Sequence, residues 1–172
     1  LLCTMKRKRN NQKKIDYQEI VDRKMVIELF NQLFNDVKYT ALPISAHTDL
    51  TITATTNNNI YQFHAEVKNR NILIDTFNNC YLEKTKYEHL KNDCKSHLPI
   101  YVAIYPASNV ICIWNLSKID ISTIPVKTIE MNEVTYINDE EEINKIQKDV
   151  YLLPIELSAK YQYNYAFSKQ TA

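Results

Sequence analysis

Three side chains carry the clearest chemical signal. Asp49 opens one alternating apolar and polar stretch, Glu66 lies near the end of the next, and Lys68 follows two residues on. Two carboxylates held about 5 Å apart across neighbouring strands repel each other unless a cation lies between them. Hard oxygen ligands of this kind suit Mg²⁺, which takes one or two carboxylates, keeps several waters and leaves room for a substrate phosphate. A lysine beside the ion can orient or help deprotonate a bound water, or stabilise charge that builds on phosphorus oxygens. The chemistry within reach of these residue types is hydrolysis of a phosphodiester.

These side chains depend on a hairpin to bring them together. Leu50, Ile52 and Ala54 alternate with Asp49, Thr51, Thr53 and Thr55; Tyr61, Phe63, Ala65 and Val67 alternate with Gln62, His64, Glu66 and Lys68. Between them lies Thr56-Asn57-Asn58-Asn59. Asparagine tolerates positive φ better than any residue but glycine, so this stretch predicts the turn. A two-residue turn at Asn57-Asn58, or a four-residue loop, sets Leu50 against Ala65, Ile52 against Phe63 and Ala54 against Tyr61. The same register places Asp49 directly opposite Glu66, on the polar face shared by Lys68. The tripeptide alone is not specific: Asp22-Arg23-Lys24, Asp36-Val37-Lys38 and Asp93-Cys94-Lys95 repeat its pattern. The first two are expected in an opening helix and the third at the end of a second helix, where residues two apart share no face. A solvent-facing charge cluster on a half-exposed sheet is the competing account of Asp49, Glu66 and Lys68.

Elsewhere the periodicity predicts a helix over about 17–37, from Val26, Leu29, Phe30, Leu33 and Val37, with Asp16 and Glu19 as a capping box and Ile15 and Ile20 as its staple. A short edge strand follows at 39–46, its Pro43 suited to an edge. A second helix is expected at 81–95, a strand buried on both faces at 100–105, and its hairpin partner at 110–114 across Pro106–Asn109. Asn138 with Glu141 predicts a third helix reaching about Asp149, and 151–165 a final strand. Trp114 and the tyrosines among apolar neighbours are core candidates.

Composition narrows the classes. The 172 residues include no glycine, where about 12 would be usual, which excludes glycine-rich phosphate loops and dinucleotide fingerprints. The four cysteines form no CxxC pair and read as free thiols in a reducing, cytoplasmic compartment. Cys94 and His97 lack the further ligands a zinc site needs. Residues 1–14 carry six of the 21 basic side chains and none of the 20 acidic ones, leaving the remainder net acidic. We read 1–14 as a flexible basic arm able to grip a phosphate backbone, and 15–172 as a single domain. No apolar run approaches a membrane span.

Asp49, followed seventeen residues later by Glu66-Val67-Lys68, after a helix and a first strand, resembles the PD-(D/E)xK nuclease superfamily. The resemblance implies an α/β, restriction endonuclease-like core, a mixed sheet flanked by helices in the order α-β-β-β-α-β, here with a C-terminal extension. It implies that Asp49 and Glu66 bind Mg²⁺ or Mn²⁺, with the Val67 carbonyl as a further ligand, and that Lys68 assists the nucleophilic water. Thr48 stands where the name-giving proline would be. DNA is the implied partner, no membrane is involved, and a homodimer is compatible because two strands need two cuts. Family members often add a glutamate from the first helix. Glu28 lies nearly opposite the apolar stripe, whereas Glu19 and Asp22 lie on the sheet-facing side, and Glu19 is the preferred candidate beside its capping role.

His64 shares the face of Glu66 as a proton shuttle or substrate contact, against a surface histidine with no role; His47 is weighed the same way. Lys84, Lys86, Tyr87 and Lys91 would touch DNA phosphates or form a solvated helix face. The sequence therefore reads as a metal-dependent DNA nuclease. The rival readings are a catalytically inactive nucleic-acid-binding or assembly module of the same fold, and an interaction protein acting through its acidic C-terminal third.

Overall fold

A computed structural model describes residues 2–43, 46, 48–92, 96–132 and 145–163, with side chains from residue 17 onward except that of residue 132. Among the described residues the protein is mixed α/β, mostly β with two α-helices, and none of these helices is long and apolar enough to cross a membrane. The first helix, α1, spans Leu2–Leu33. It therefore begins fifteen residues before the expected start, and Asp16 and Glu19 lie inside it rather than capping it. No proline or glycine interrupts this stretch, and its Lys, Arg, Gln and Met residues favour helix. The backbone of the expected basic arm thus belongs to α1 from Leu2, and Ile20, expected as a staple, is exposed.

The chain then enters β1 (Asp36–Ala41), β2 (Leu50–Thr55) and β3 (Ile60–Asn69), an antiparallel run with β1 at the sheet edge. The edge position agrees with expectation, but the strand lies earlier than 39–46, and Pro43 follows it. Asp36-Val37-Lys38 is therefore on a strand and not in the helix; its ends face Thr55 and Thr53, so no acid stands opposite. The β2–β3 register is the expected one, Leu50 against Ala65, Ile52 against Phe63 and Ala54 against Tyr61. Four residues form the loop, closed by the Thr56 N–H on the Asn59 carbonyl and the Asn59 N–H on Thr56 Oγ1. Positive φ is needed elsewhere: among the described residues only Asn109 has it, at 53°, closing the turn before Val110.

Residues expected to start the second helix form a strand instead. In β4 (Asn79–Glu83) the buried Cys80 and Leu82 alternate with outward Tyr81 and Glu83, a period of two that ends before α2 (Lys84–Asn92). The strands β5 (Leu98–Tyr105) and β6 (Val110–Asn115) follow, β5 parallel to β3 and antiparallel to β6. Ile100, Val102 and Ile104 face α1 while Tyr101, Ala103 and Tyr105 face the opposite layer, which accounts for the unbroken apolar run. Trp114 is fully buried, its Nε1–H donating to the Pro154 carbonyl.

The C-terminal third forms β7 (Val126–Asn132), β8 (Lys145–Pro154) and β9 (Ala159–Gln162). The helix expected to reach Asp149 is overturned over 145–149; its cap, Asn138 and Glu141, lies outside the described residues. Cross-strand partners decide the outcome: Lys145 pairs with Glu130 at 2.9 Å and Thr128 donates to Asp149 at 2.7 Å. The final strand, expected over 151–165, is split, as far as residue 163, between the end of β8 and β9, its last two residues lying outside the described ones. Two sheets result, one in the order β1-β2-β3-β5-β6-β9 and the other β4-β8-β7. The larger sheet packs α1 on one face, where Phe30 meets Phe63 edge-on at 5.3 Å, and α2 with the smaller sheet on the other.

Candidate active site

The site forms where β2 parts from β3. The Asp49 N–H donates to the carbonyl of Ala65, the residue already paired with Leu50. Asp49 is therefore one residue out of the ladder and not directly opposite Glu66, correcting the sequence expectation. Its carbonyl accepts the Leu42 N–H, and its Oδ2 accepts the Val67 N–H at 2.7 Å. A side-chain carboxylate thus takes the place of a strand carbonyl, an exchange made possible by the chain leaving the register just there. N–H and C=O of one strand residue point to the same side. The Val67 carbonyl accordingly emerges beside Asp49, as a ligand role requires.

Glu66 points to the other face of β3, toward α2. It is 1% exposed, so the solvent-facing cluster of the competing account does not hold for Glu66, which α2 and the smaller sheet cover. Its Oε1 lies 3.0 Å from Lys68 Nζ and 3.2 Å from Lys86 Nζ of α2. Burial raises the Glu66 carboxyl above the ordinary range, Lys68 pulls it back, Asp49 pushes it up again and Lys86 lowers it. Burial pulls Lys68 down, but Glu66, then Asp49 and Glu83, outweigh it and hold the ammonium above its usual value. The Asp49 charge is thus felt by both Glu66 and Lys68, and Lys68 stays charged.

Residues of α1 reach the same place. Arg23 donates from Nη2 to Asp49 Oδ1 at 3.2 Å and from Nη1 to the Leu42 carbonyl at 3.0 Å. Glu19 meets Arg23 at 3.9 Å, so it approaches Asp49 through the guanidinium. Asp22, 6% exposed, accepts from Gln18 and Asn69 at 2.8 Å each. Its burial raises its carboxyl, the two amides lower it, and Asp49 raises it further. Glu28 is exposed. His64 packs its ring against His97 at 4.5 Å; His47 lies outside the described residues.

A cavity of about 180 Å³ opens beside Glu66 and Lys68, lined also by Arg70, Glu83, Lys86 and Tyr101. An open groove of about 780 Å³ near Phe77 and Glu156 is larger but holds none of the candidate residues, so size is not the guide to chemistry here. Sequence reasoning missed Arg23 and Arg70. Arg70 continues the period-two row of Glu66 and Lys68, a legible signal; Arg23 had none, because its partner is 26 residues away. Lys86 was read as a DNA contact, and it faces Glu66. Tyr87 is core, stacked edge-on against Tyr151 with Lys91 over its ring. Cys80 and Cys112 are buried free thiols.

Among the described residues no cluster of three or more His, Cys, Asp or Glu side chains is poised for a metal. Two carboxylates and a carbonyl still match the oxygen chemistry of Mg²⁺, whose remaining ligands are waters and substrate. Both carboxylates already attract cations, Arg23 at Asp49 and two lysines at Glu66, and a divalent ion satisfies the same demand. The donor types present are those the ion takes. Comparisons with protein-family models, curated proteins and solved structures find no match.

Proposed function

We propose that this chain is a metal-dependent nuclease that hydrolyses phosphodiester bonds in DNA on a restriction endonuclease-like core. The observation that carries the reading is the Asp49 carboxylate on the Val67 N–H, one residue from both Glu66 and Lys68, which pair with each other at 3.0 Å. The order α1, β1, β2, β3, α2, β5, with β5 parallel beside β3 and β4 inserted before α2, supports it.

Asp49, Glu66 and the Val67 carbonyl would hold Mg²⁺ or Mn²⁺, which supplies Lewis-acid polarisation of a phosphoryl oxygen and a more acidic water. Arg23 and the Val67 N–H fix the Asp49 carboxylate from two directions, so the ligand is preorganised. Lys68, kept protonated by Glu66, acts as a cation on the phosphorus oxygens; it becomes a proton acceptor for water only once Glu66 is engaged elsewhere. Lys86 is a second cation on the same carboxylate.

A binding module without turnover is the second reading. It is favoured by one observation: both site carboxylates are satisfied by the protein's own cations. Supercoiled plasmid and a branched oligonucleotide, incubated in Mg²⁺ or Mn²⁺ beside EDTA and Lys68→Ala controls, separate the two. Metal-dependent cutting lost in Lys68→Ala supports the nuclease. Retention of both DNAs without cutting, by folded protein, assigns the module.

A further inference from the structure

The first helix runs well past the sheet it covers. Among the described residues, the core contacts of α1 begin at Val21, and Tyr17 and Ile20 before it are exposed. The α1 backbone continues to Leu2, about 28 Å farther along the axis. That stretch carries Lys6, Arg7, Lys8, Arg9, Lys13 and Lys14, against Asp16 and Glu19. Arg9 stands three residues after Lys6 and four before Lys13, spacings at which like charges repel on a helix. A dense array of anions removes that repulsion, and duplex DNA offers one negative charge per about 1.7 Å of its axis.

We propose that the part of α1 before Tyr17 lies in the major groove of duplex DNA. The inference rests on the nuclease reading of Asp49, and it names the substrate as a duplex gripped by a rigid helix and not by a flexible arm. Shape supports this choice: an α-helix about 10–12 Å across matches a groove about 12 Å wide. Charge placement supports it too. Lys6, Arg7, Lys8 and Arg9 step by about 100° each, so these positions go most of the way round the axis. A flat surface meets one side of such a helix, whereas a groove has phosphates along both walls. A single strand is the poorer partner, because it binds by stacking bases on aromatic side chains and residues 2–16 include none. No proline or glycine interrupts the chain between this segment and Arg23, which donates to Asp49 at 3.2 Å. Lys14 and Lys6 therefore fall about 13 Å and about 25 Å from Arg23 along one rod, so a duplex seated there is held at a fixed distance from the site.

The test is binding in EDTA, where no cleavage occurs. A fluorescein-labelled duplex of about two helical turns and its single strand are titrated with the full chain by anisotropy. The duplex is expected to bind at least about tenfold tighter than the strand. Asn11→Pro keeps every charge but cannot donate within the helix and turns residue 10 away from it, which cuts 6–9 loose from the rest of α1. Its duplex affinity is expected to fall about tenfold, while Asn11→Ala, which keeps the helix, stays within about threefold of the unmodified protein. A duplex with a bulky group at thymine C5, which projects into the major groove, is expected to bind about tenfold more weakly. A duplex bound no tighter than the strand overturns the proposal, as does unchanged affinity in folded Asn11→Pro or for the C5-substituted duplex. The nuclease reading fails separately, through absence of metal-dependent cutting. Duplex binding that Asn11→Pro weakens, without cutting, leaves the helix standing and removes the enzyme.

Discussion

The carboxylate of Asp49 accepts the backbone N–H of Val67 at 2.7 Å, so a side chain completes the ladder at the point where β2 leaves it. The same group takes Arg23 on its other oxygen. Asp49→Ala therefore orphans a backbone donor and leaves the Arg23 guanidinium only the Leu42 carbonyl and Glu19, and we expect a loss of about 1–3 kcal/mol. Asp49→Asn keeps an oxygen for the N–H and is expected to lose about half as much. Urea unfolding of the two variants checks this; an Asp49→Ala effect below about 0.5 kcal/mol contradicts it.

Asp22 is a buried acid bound by two amides and, among the described residues, by no cation. Its folded carboxyl is raised, chiefly by burial, so the folded state favours the protonated form. That contribution is fully present below the unfolded value near 3.8 and is lost as pH rises through the folded value. Asp22→Asn should consequently stabilise the protein by about 1 kcal/mol at pH 7, with the gain vanishing in acid. Unfolding midpoints measured from pH 3 to pH 8 give the result; a gain independent of pH would rule the account out.

Lys86 and a divalent ion compete for Glu66. Replacing this ammonium, 3.2 Å from Oε1, by the neutral Lys86→Met should tighten Mn²⁺ binding about threefold to tenfold. Calorimetric titration of both proteins decides the matter, and weaker binding in the variant would mean that Lys86 supports the site in another way.

How much of this was legible depended on range. The β2–β3 register followed from alternation and a four-residue loop, both local, and the both-faces burial of 100–105 followed from its continuous apolar run. Asp49 departed from the expected pairing because Val67 offers its N–H to a carboxylate, a preference that periodicity does not encode. The helix expected up to Asp149 failed because Lys145 and Asp149 find partners on β7, roughly twenty residues earlier in the chain. The burial of Glu66 was equally hidden, since the lid that covers it is made by α2 and a second sheet. Arg70 was the exception: it continues the row of Glu66 and Lys68, and alternation alone could have found it.

The six basic residues in 1–14 should contribute to affinity for DNA without choosing its sequence. Each phosphate that a basic side chain neutralises adds about 0.9 to the slope of log K against log salt. Deleting the run is expected to flatten that slope by as much as about 5. Filter binding between 50 mM and 200 mM salt measures it, and an unchanged slope would exclude a role for these residues.

The claim on which the chemistry rests is that Asp49 and Glu66 together hold a divalent ion. Calorimetric titration of the metal-free protein with Mn²⁺, beside Glu66→Gln verified as folded by circular dichroism, tests it most directly. One site per chain is expected in the unmodified protein, and its loss in Glu66→Gln. No heat of binding in the folded, unmodified protein, or equal binding in the variant, would contradict it.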